Sequence, residues 1–508
     1  MKVLYIAAEC KPFAKAGGVG DVTGELPPAL KAQGVDIEIV TPWYGVTSCG
    51  DATLSDGWEL RWRGTSQRVD VLTAALRGVP VTFLKNATYF ETDYSQGERL
   101  PPFSSPHLFK KNYATIYVDS EPTLPYIDDA ARFAFFSEAC IGLIERRSPD
   151  IVHVNDWVLG YLFGRMTMRR MPQKKVLTIH NIGYQGNLGR DLIVGWPIES
   201  MAVDPLLGPL FADPRPSWNS VNALRLGMET ADAVNTVSPT YKKEMMQPED
   251  PRRYFEGGKG LEGVTARLDR EGKLQGILNG FEYESVADDA SFAATLAAKA
   301  TAKVALSRNF ESPDGFLFGF VGRAVEQKFK LLTEPLDGKS VLEHILDIPR
   351  VNVAIVATGQ REYENFLARL RGRPNVDVTI EFNRTKAQQI SLGSDVFLMP
   401  SLFEPCGITQ MESLSHATPP LVRWTGGLLD TVVPHTDPSG TGFGFDGTNR
   451  REILENLVAA AREAVRLYSD DKPGFRQLQR RGFAERFRWT ASAGRYIAGL
   501  YAPLMRGT

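Results

Sequence analysis

The sequence predicts an α/β protein made of two successive Rossmann-like units, and three observations carry that prediction. Short apolar runs of the kind that fill a parallel sheet recur along the chain, with helices between them at the spacing of βαβ units. The runs fall into two groups, one opening at Lys2 and one at Phe316, and a stretch of Asp, Ser and Ala around Val286-Ala287-Asp288 reads as the linker. The 508 residues, 43% of them hydrophobic, can fill two or three separate cores. The expected division is a first domain over 1–285, a second over 286–485 and a C-terminal helix over 486–508.

In chain order, Lys2 to Glu9 is a strand, the loop Lys15 to Asp21 contains three glycines, Val22 to about Ala32 is a helix and Asp36 to Thr41 the next strand. Strand, glycine loop and helix N-terminus make an anion cradle, because glycines let backbone N–H groups approach a phosphate and the helix dipole favours negative charge. The loop is neither the dinucleotide fingerprint G-x-G-x-x-G nor a Walker A loop, which argues against NAD and against a P-loop nucleotidase. Arg68 to Lys85 alternates like a hairpin. Asn86 to Pro125, rich in Pro, Ser, Tyr and Asp, reads as an insertion. Ala131 to Arg147 is a helix. The strand Ile151 to Asn155 ends in Asp156-Trp157, and the strand Val176 to Ile179 ends in His180-Asn181. A lone histidine at a strand end is more often a hydrogen-bonded structural residue than a catalytic one.

The second unit has expected strands at Phe316–Val321, Val351–Ala357, Val376–Phe382, Val396–Met399 and Leu421–Arg423, with closing helices over Arg451–Tyr468 and Gln477–Leu500. After Met399, Pro400, Pro405 and Gly407 break the strand, and a helix starts near Ile408. Glu404 therefore stays in the loop at the carboxyl end of a strand, where open α/β sheets bind their ligands, and Glu412 falls in the first turns of the helix. Two acceptor-only carboxylates framing a helix start suit a ligand rich in hydroxyls. On this stretch alone, two solvated acids are an equally good reading. Arg323 and Lys328, five residues apart after a strand end, can grip one pyrophosphate as a planar fork and a point charge, although such spacing usually marks a solvated helix start.

A formal net charge of −2 gives no reason to expect a nucleic-acid or membrane-surface partner. Cys10, Cys49, Cys140 and Cys406 form no C-x-x-C pair and no disulfide framework, so a reduced, soluble, cytoplasmic protein is expected. No room precedes the first strand for a signal peptide, and no apolar run approaches the roughly 20 residues of a membrane helix. A metal is not expected, since no His/Cys/Asp cluster has ligand spacing.

Phe403-Glu404-Pro405-Cys406-Gly407-Ile408-Thr409-Gln410 resembles the FEPCG-[LI]-TQ signature of bacterial glycogen synthases and plant starch synthases, glycosyltransferases that extend α-1,4-glucan from a nucleotide-activated glucose. The seven residues between Glu404 and Glu412 match the E-x7-E spacing of the wider class of retaining, two-Rossmann-domain glycosyltransferases. Further resemblances follow in the family's order: Lys15 to Val22 to K-x-G-G-[LV]-[AG]-D-V, Thr178 to Gly186 to THN-x-x-YQG, Ala233 to Tyr241, Gly276 to Glu282, Gly322 to Lys328 to [SG]-R-L-x-x-Q-K, Arg423 to Val432 to [RT]-x-TGGL-x-DTV, and Gly440 to Phe445.

The resemblance implies the GT-B architecture, with two Rossmann-like domains facing a deep cleft, nucleotide-sugar on the C-terminal one, acceptor on the N-terminal one, and the last helix crossing back onto the first domain. It implies transfer of glucose from ADP-glucose to the non-reducing end of a glucan or maltooligosaccharide, with retention, by front-side displacement, and no cofactor beyond the donor. Lys15, His180, Arg323, Lys328 and Glu404 are the implied catalytic residues. Gly17, Gly18, Asp21, Cys406, Gly407, Glu412, Thr425, Gly426 and Gly427 would hold the nucleotide-sugar, and Glu9, Asp156, Trp157 and Asn181 the acceptor. A related transferase with another donor or acceptor, or an impaired glucan-binding relative, stays as the alternative, and self-association is left open.

The chain also departs from the family. Asn155 and Val158 stand for the two histidines of its HDWH segment and are expected to change the polar groups on the acceptor side. Phe329 stands where the family has glycine, which leaves the path of the next turn open, and Val286-Ala287-Asp288 replaces Trp-Asn-Pro at the hinge.

Overall fold

A computed structural model describes residues 1–94, 112–118, 127–215 and 218–506. The first sheet uses β1 (Lys2–Ile6), β2 (Asp36–Trp43), β3 (Thr53–Trp62), β4 (Thr65–Leu76), β5 (Val79–Lys85), β6 (Ile151–Asn155) and β7 (Lys174–Ile179). After a separate short pair, β8 (Asn187–Gly189) and β9 (Ser220–Asn222), it is completed by β10 (Ala233–Thr236) and β11 (Leu274–Gly276). Its nine strands run β11-β10-β7-β6-β1-β2-β5-β4-β3, parallel as far as β5 and antiparallel at β4 and β3. The second sheet uses β12 (Phe316–Ala324), then, beyond the small hairpin β13 (Pro335–Leu336) and β14 (Lys339–Ser340), β15 (Val351–Gly359), β16 (Val376–Thr379), β17 (Val396–Met399), β18 (Pro420–Arg423) and β19 (Phe443–Phe445). These six are all parallel, in the order β16-β15-β12-β17-β18-β19. Two α/β sheets, the second wholly parallel and the first parallel from β11 to β5, are what the apolar runs predicted. Val3, Leu4, Tyr5 and Ile6 of β1 are all fully buried because helices cover both faces, so the strand reads as one continuous apolar run.

The hairpin read over Arg68 to Lys85 is β4 and β5, turned by Arg77 and Gly78 at φ +48° and +80°, the twist that two-residue hairpins prefer. β3, which pairs with β4, was not foreseen. Of the expected insertion, residues 95–111 and 119–125 lie outside the described residues. The first helix starts at Gly18 rather than Val22 and contains Pro27 and Pro28. Pro28 has no N–H for the Gly24 carbonyl one turn back, and Arg77 Nη2 donates to that oxygen instead, at 2.7 Å.

The helix expected over Gln477–Leu500 is two helices, Lys472–Ala484 and Trp489–Tyr496, the second continuing as Ile497–Tyr501 and Ala502–Arg506. Between the two, Phe487 pairs with the outgoing crossing: Phe281 N donates to its carbonyl at 2.6 Å, and its own N–H reaches Tyr283 Oη at 2.9 Å. The chain then returns to the first sheet. Gln33 Nε2 donates to the Thr490 carbonyl, Tyr496 Oη accepts from Asn235 Nδ2 at 2.9 Å, and Tyr501 Oη lies 2.6 Å from His153 Nδ1.

Candidate active site

Loops at the carboxyl ends of the two sets of parallel strands meet, so the site is assembled between them. Ser238, just after β10, donates through Oγ to the Pro405 carbonyl at 2.6 Å, and Thr240 donates from N and Oγ1 to Asp430 at 2.9 and 2.8 Å. Burial raises the Glu412 carboxyl pKa, and the groups that act on it next are Asp21 and Lys15 of the first loop. The first glycine loop and the helix after Cys406 therefore face each other.

On the C-terminal side, Arg323 ends β12 as an exposed guanidinium with no carboxylate partner among the described residues. Lys328 lies on the helix Glu326–Thr333, its Nζ 3.6 Å from Glu404 Oε2. Glu404 is buried and also accepts from Ser401 Oγ at 3.1 Å. Gln327 holds this loop against the helix, accepting from Leu402 N at its carbonyl and donating through Nε2 to the Phe403 carbonyl. The structure thus brings Lys328 and Glu404 together, with Arg323 exposed near the end of the adjoining strand β12. Phe329 does not divert the turn: its ring is fully buried against Phe320, Tyr363 and Phe366, filling space that glycine would leave empty.

Several other groups singled out in the sequence are already engaged. Glu9 was expected at the acceptor, but it is 2% exposed, and its Oε2 accepts from Ala16 and Gly17 N–H, both at 2.7 Å, while Oε1 takes Tyr117 Oη. It shapes the glycine loop and takes the Gly17 amide that was assigned to the donor. Gly18 is exposed at the start of the 15-residue helix, and Lys15 Nζ lies 2.6 Å from Asp21 Oδ2. Thr425 Oγ1 and Gly426 N–H, expected at the donor phosphates, donate to Glu244 at 3.1 and 2.8 Å, and Gly427 N–H goes to the Glu404 carbonyl. Gly426 and Gly427 are glycines because a Cβ on either would collide with the Glu404 or Cys406 carbonyl. The Cys406 thiol is buried with Val237 and Met411, its pKa pushed up to about 12 by burial. Gly407, at φ +71°, makes the turn that starts the helix Thr409–Ser415.

On the N-terminal side, Asp156 sits at φ +58°, the kind of backbone strain that collects at functional sites. Its Oδ1 accepts His180 N at 2.7 Å, and the Asn181 N–H also donates to this carboxylate; burial pushes the carboxyl up to about 7. Trp157 is buried against Phe133, and Gly186 leaves room for its ring. Asn181 Oδ1 accepts Gly183 N–H. Asp156 thus supports the His180 loop, and Trp157 packs beneath it. At the two departures from the family, Asn155 and Val158, both side chains are buried, Val158 in the main core. His180 itself is half-buried, and burial lowers its pKa to about 4. Glu244 was missed by the sequence reading. Its signal was an acid three residues beyond Tyr241, in a segment whose importance was already visible.

Among the described residues, no group of His, Cys, Asp or Glu side chains could hold a metal ion, and no helix is long and apolar enough to cross a membrane. Residues 2–267 match the family model of the starch synthase catalytic domain, and 307–463 that of glycosyl transferases group 1. A glycogen synthase of Geotalea daltonii is 33% identical, over 98% of this chain and 97% of the relative. One from Anaeromyxobacter is 34% identical over 99% of both. The catalytic domain of starch synthase IV from Arabidopsis thaliana, solved bound to ADP and acarbose, superposes with a TM-score of 0.78 at 26% identity, covering 99% of each chain.

Proposed function

The chain belongs to the starch and glycogen synthase family of retaining glycosyltransferases, and on that premise we propose that it transfers glucose from ADP-glucose to the non-reducing end of an α-1,4-glucan. The observation that carries the mechanism is the exposed Arg323 on β12, without a carboxylate partner among the described residues, and the Lys328–Glu404 pair at 3.6 Å on the adjoining helix and loop. In this reading the acceptor 4-hydroxyl oxygen bonds to the anomeric carbon on the face from which ADP departs. The carbon–phosphate oxygen bond breaks, and the hydroxyl proton passes to the departing phosphate oxygen. Arg323 and Lys328 stabilise the charge that builds there, and Lys15 approaches from the opposite loop. Glu404 holds glucose hydroxyls, Glu412 the ribose, and His180 lies beside the transferred sugar. ADP as leaving group is supported by the bacterial-type motif set and by the ADP in the starch synthase IV relative. The same reading places the enzyme in the cytoplasm, where Cys10, Cys49, Cys140 and Cys406 stay reduced.

The test is a comparison of donors followed by removal of the cations. ADP-glucose is expected to give the higher kcat/KM, and equal values for ADP- and UDP-glucose would sink the donor assignment. Arg323→Ala and Lys328→Ala should each lower kcat more than they raise donor KM, by roughly 10²- to 10³-fold, because the interaction strengthens in the transition state. A pure KM effect would mean that the cations only bind ground-state donor.

A further inference from the structure

Asn155, where the family carries histidine, sits at the end of β6 with its side chain fully buried and every polar atom used. Nδ2 donates to the Ile6 carbonyl at 3.0 Å. Oδ1 lies 3.0 Å from Tyr5 Oη and 2.9 Å from His180 Nε2. A backbone carbonyl can only accept, so the amide cannot be turned over without setting two oxygens against each other. Oδ1 is therefore fixed toward Tyr5 and His180, and being an acceptor it requires a proton on His180 Nε2. Tyr5 is kept a phenol by burial, so its hydroxyl supplies the second donor.

We propose that Asn155 is a positioning residue that locks His180 as the Nε2–H tautomer, leaving Nδ1 as an obligate acceptor for a hydroxyl of the transferred sugar. Among the described residues no group hydrogen-bonds Nδ1, and the imidazole is only half-buried. The His180 backbone is held independently by Asp156 through its own N–H, so loop position and ring tautomer have separate determinants. A histidine at 155 could itself donate or accept and would leave the tautomer at 180 undetermined. The inference rests on the reading that His180 lies beside the sugar; the tautomer itself can be measured without that reading.

The experiment uses the full chain with ¹⁵N-labelled histidine and long-range ¹H–¹⁵N spectra, the His180 signals being identified by their loss in His180→Gln. The expected result at pH 7.5 is a neutral ring with the proton on Nε2; a proton on Nδ1 overturns the proposal and needs no variant. Asn155→Leu, in a chain whose other histidine signals are unchanged, should lose the fixed tautomer. Its transfer kcat/KM should fall about 10- to 100-fold, taking as the scale the loss when the orienting partner of a metal-ligating histidine is removed, while ADP affinity stays within about twofold. The same tautomer with unaltered kcat/KM would also overturn it. Full activity in His180→Gln would instead remove the catalytic premise and leave the tautomer standing, so the two failures are distinguishable.

Discussion

Replacing Phe329 by alanine tests whether this departure from the family is a packing device. The ring is fully buried, with centroids 5.1, 5.8 and 6.3 Å from those of Phe320, Tyr363 and Phe366. Removing a core phenylalanine costs about 3–5 kcal/mol, a sum that already includes its edge-to-face contacts. Phe329→Gly should cost about 1 kcal/mol more, because glycine weakens a helix interior. Since the loss belongs to the second sheet, the assay is amide hydrogen exchange read separately over β12 and β15 and over β1 and β6. Exchange in β12 and β15 should accelerate by roughly two to three and a half decades, at 1.4 kcal/mol per decade, with little change in β1 and β6. An acceleration below about tenfold would mean that the neighbouring rings close over the gap and that Phe329 is not what anchors the helix. Because Lys328 is the preceding residue on that helix, kcat should fall in the same variant.

The two acids should separate in an ADP titration by calorimetry: Glu404→Ala should keep ADP binding while losing transfer, and Glu412→Ala should weaken ADP itself, the opposite pattern reversing the assignment. Val158→His should not lower the acceptor KM, because the side chain enters the core; it should instead cost about 1–3 kcal/mol of stability, and a lower KM in a normally folded variant would put Val158 back at the acceptor. His416, bonded to Ser391 Oγ at 3.0 Å, has its pKa lowered to about 4 by burial and then by Lys299. Between about pH 6.5 and 4 the unfolded chain then binds the extra proton, so stability from this site falls as pH drops through that window, by up to the order of 3 kcal/mol. His416→Gln should lose correspondingly less stability than the parent between pH 7.5 and 4.5, and equal losses would refute the shift.

The sheets were legible because strands buried on both faces leave continuous apolar runs, and the loops because glycines, prolines and charges gather where those runs stop. What the same runs hide is direction. A strand without alternation gives no sign of which side chain meets the cleft, so the sequence alone did not show that Asn155 and Val158, expected to change the polar groups on the acceptor side, are both buried. Motifs also name residues without saying which amides are already taken. Gly17, Gly426 and Gly427 looked like phosphate ligands, and it needed the positions of Glu9, Glu244 and the Glu404 carbonyl to show their N–H groups in use. The break after Ala484 has no proline to announce it and only Gly482 in the turn before, and the connecting Phe487 pairs with Phe281 and Tyr283.

The bond between His153 and Tyr501 spans 348 residues and ties β6, an interior strand of the first sheet, to the segment Ile497–Tyr501. On a ribosome adding roughly 5–20 residues per second, β6 waits about 20–70 s for that partner, with a buried imidazole unsatisfied on one side. The N-terminal half is thus born first and finished last. A truncation that removed Tyr501 would be felt at β6, the strand that ends in Asn155, although the lesion lies 348 residues further along the chain.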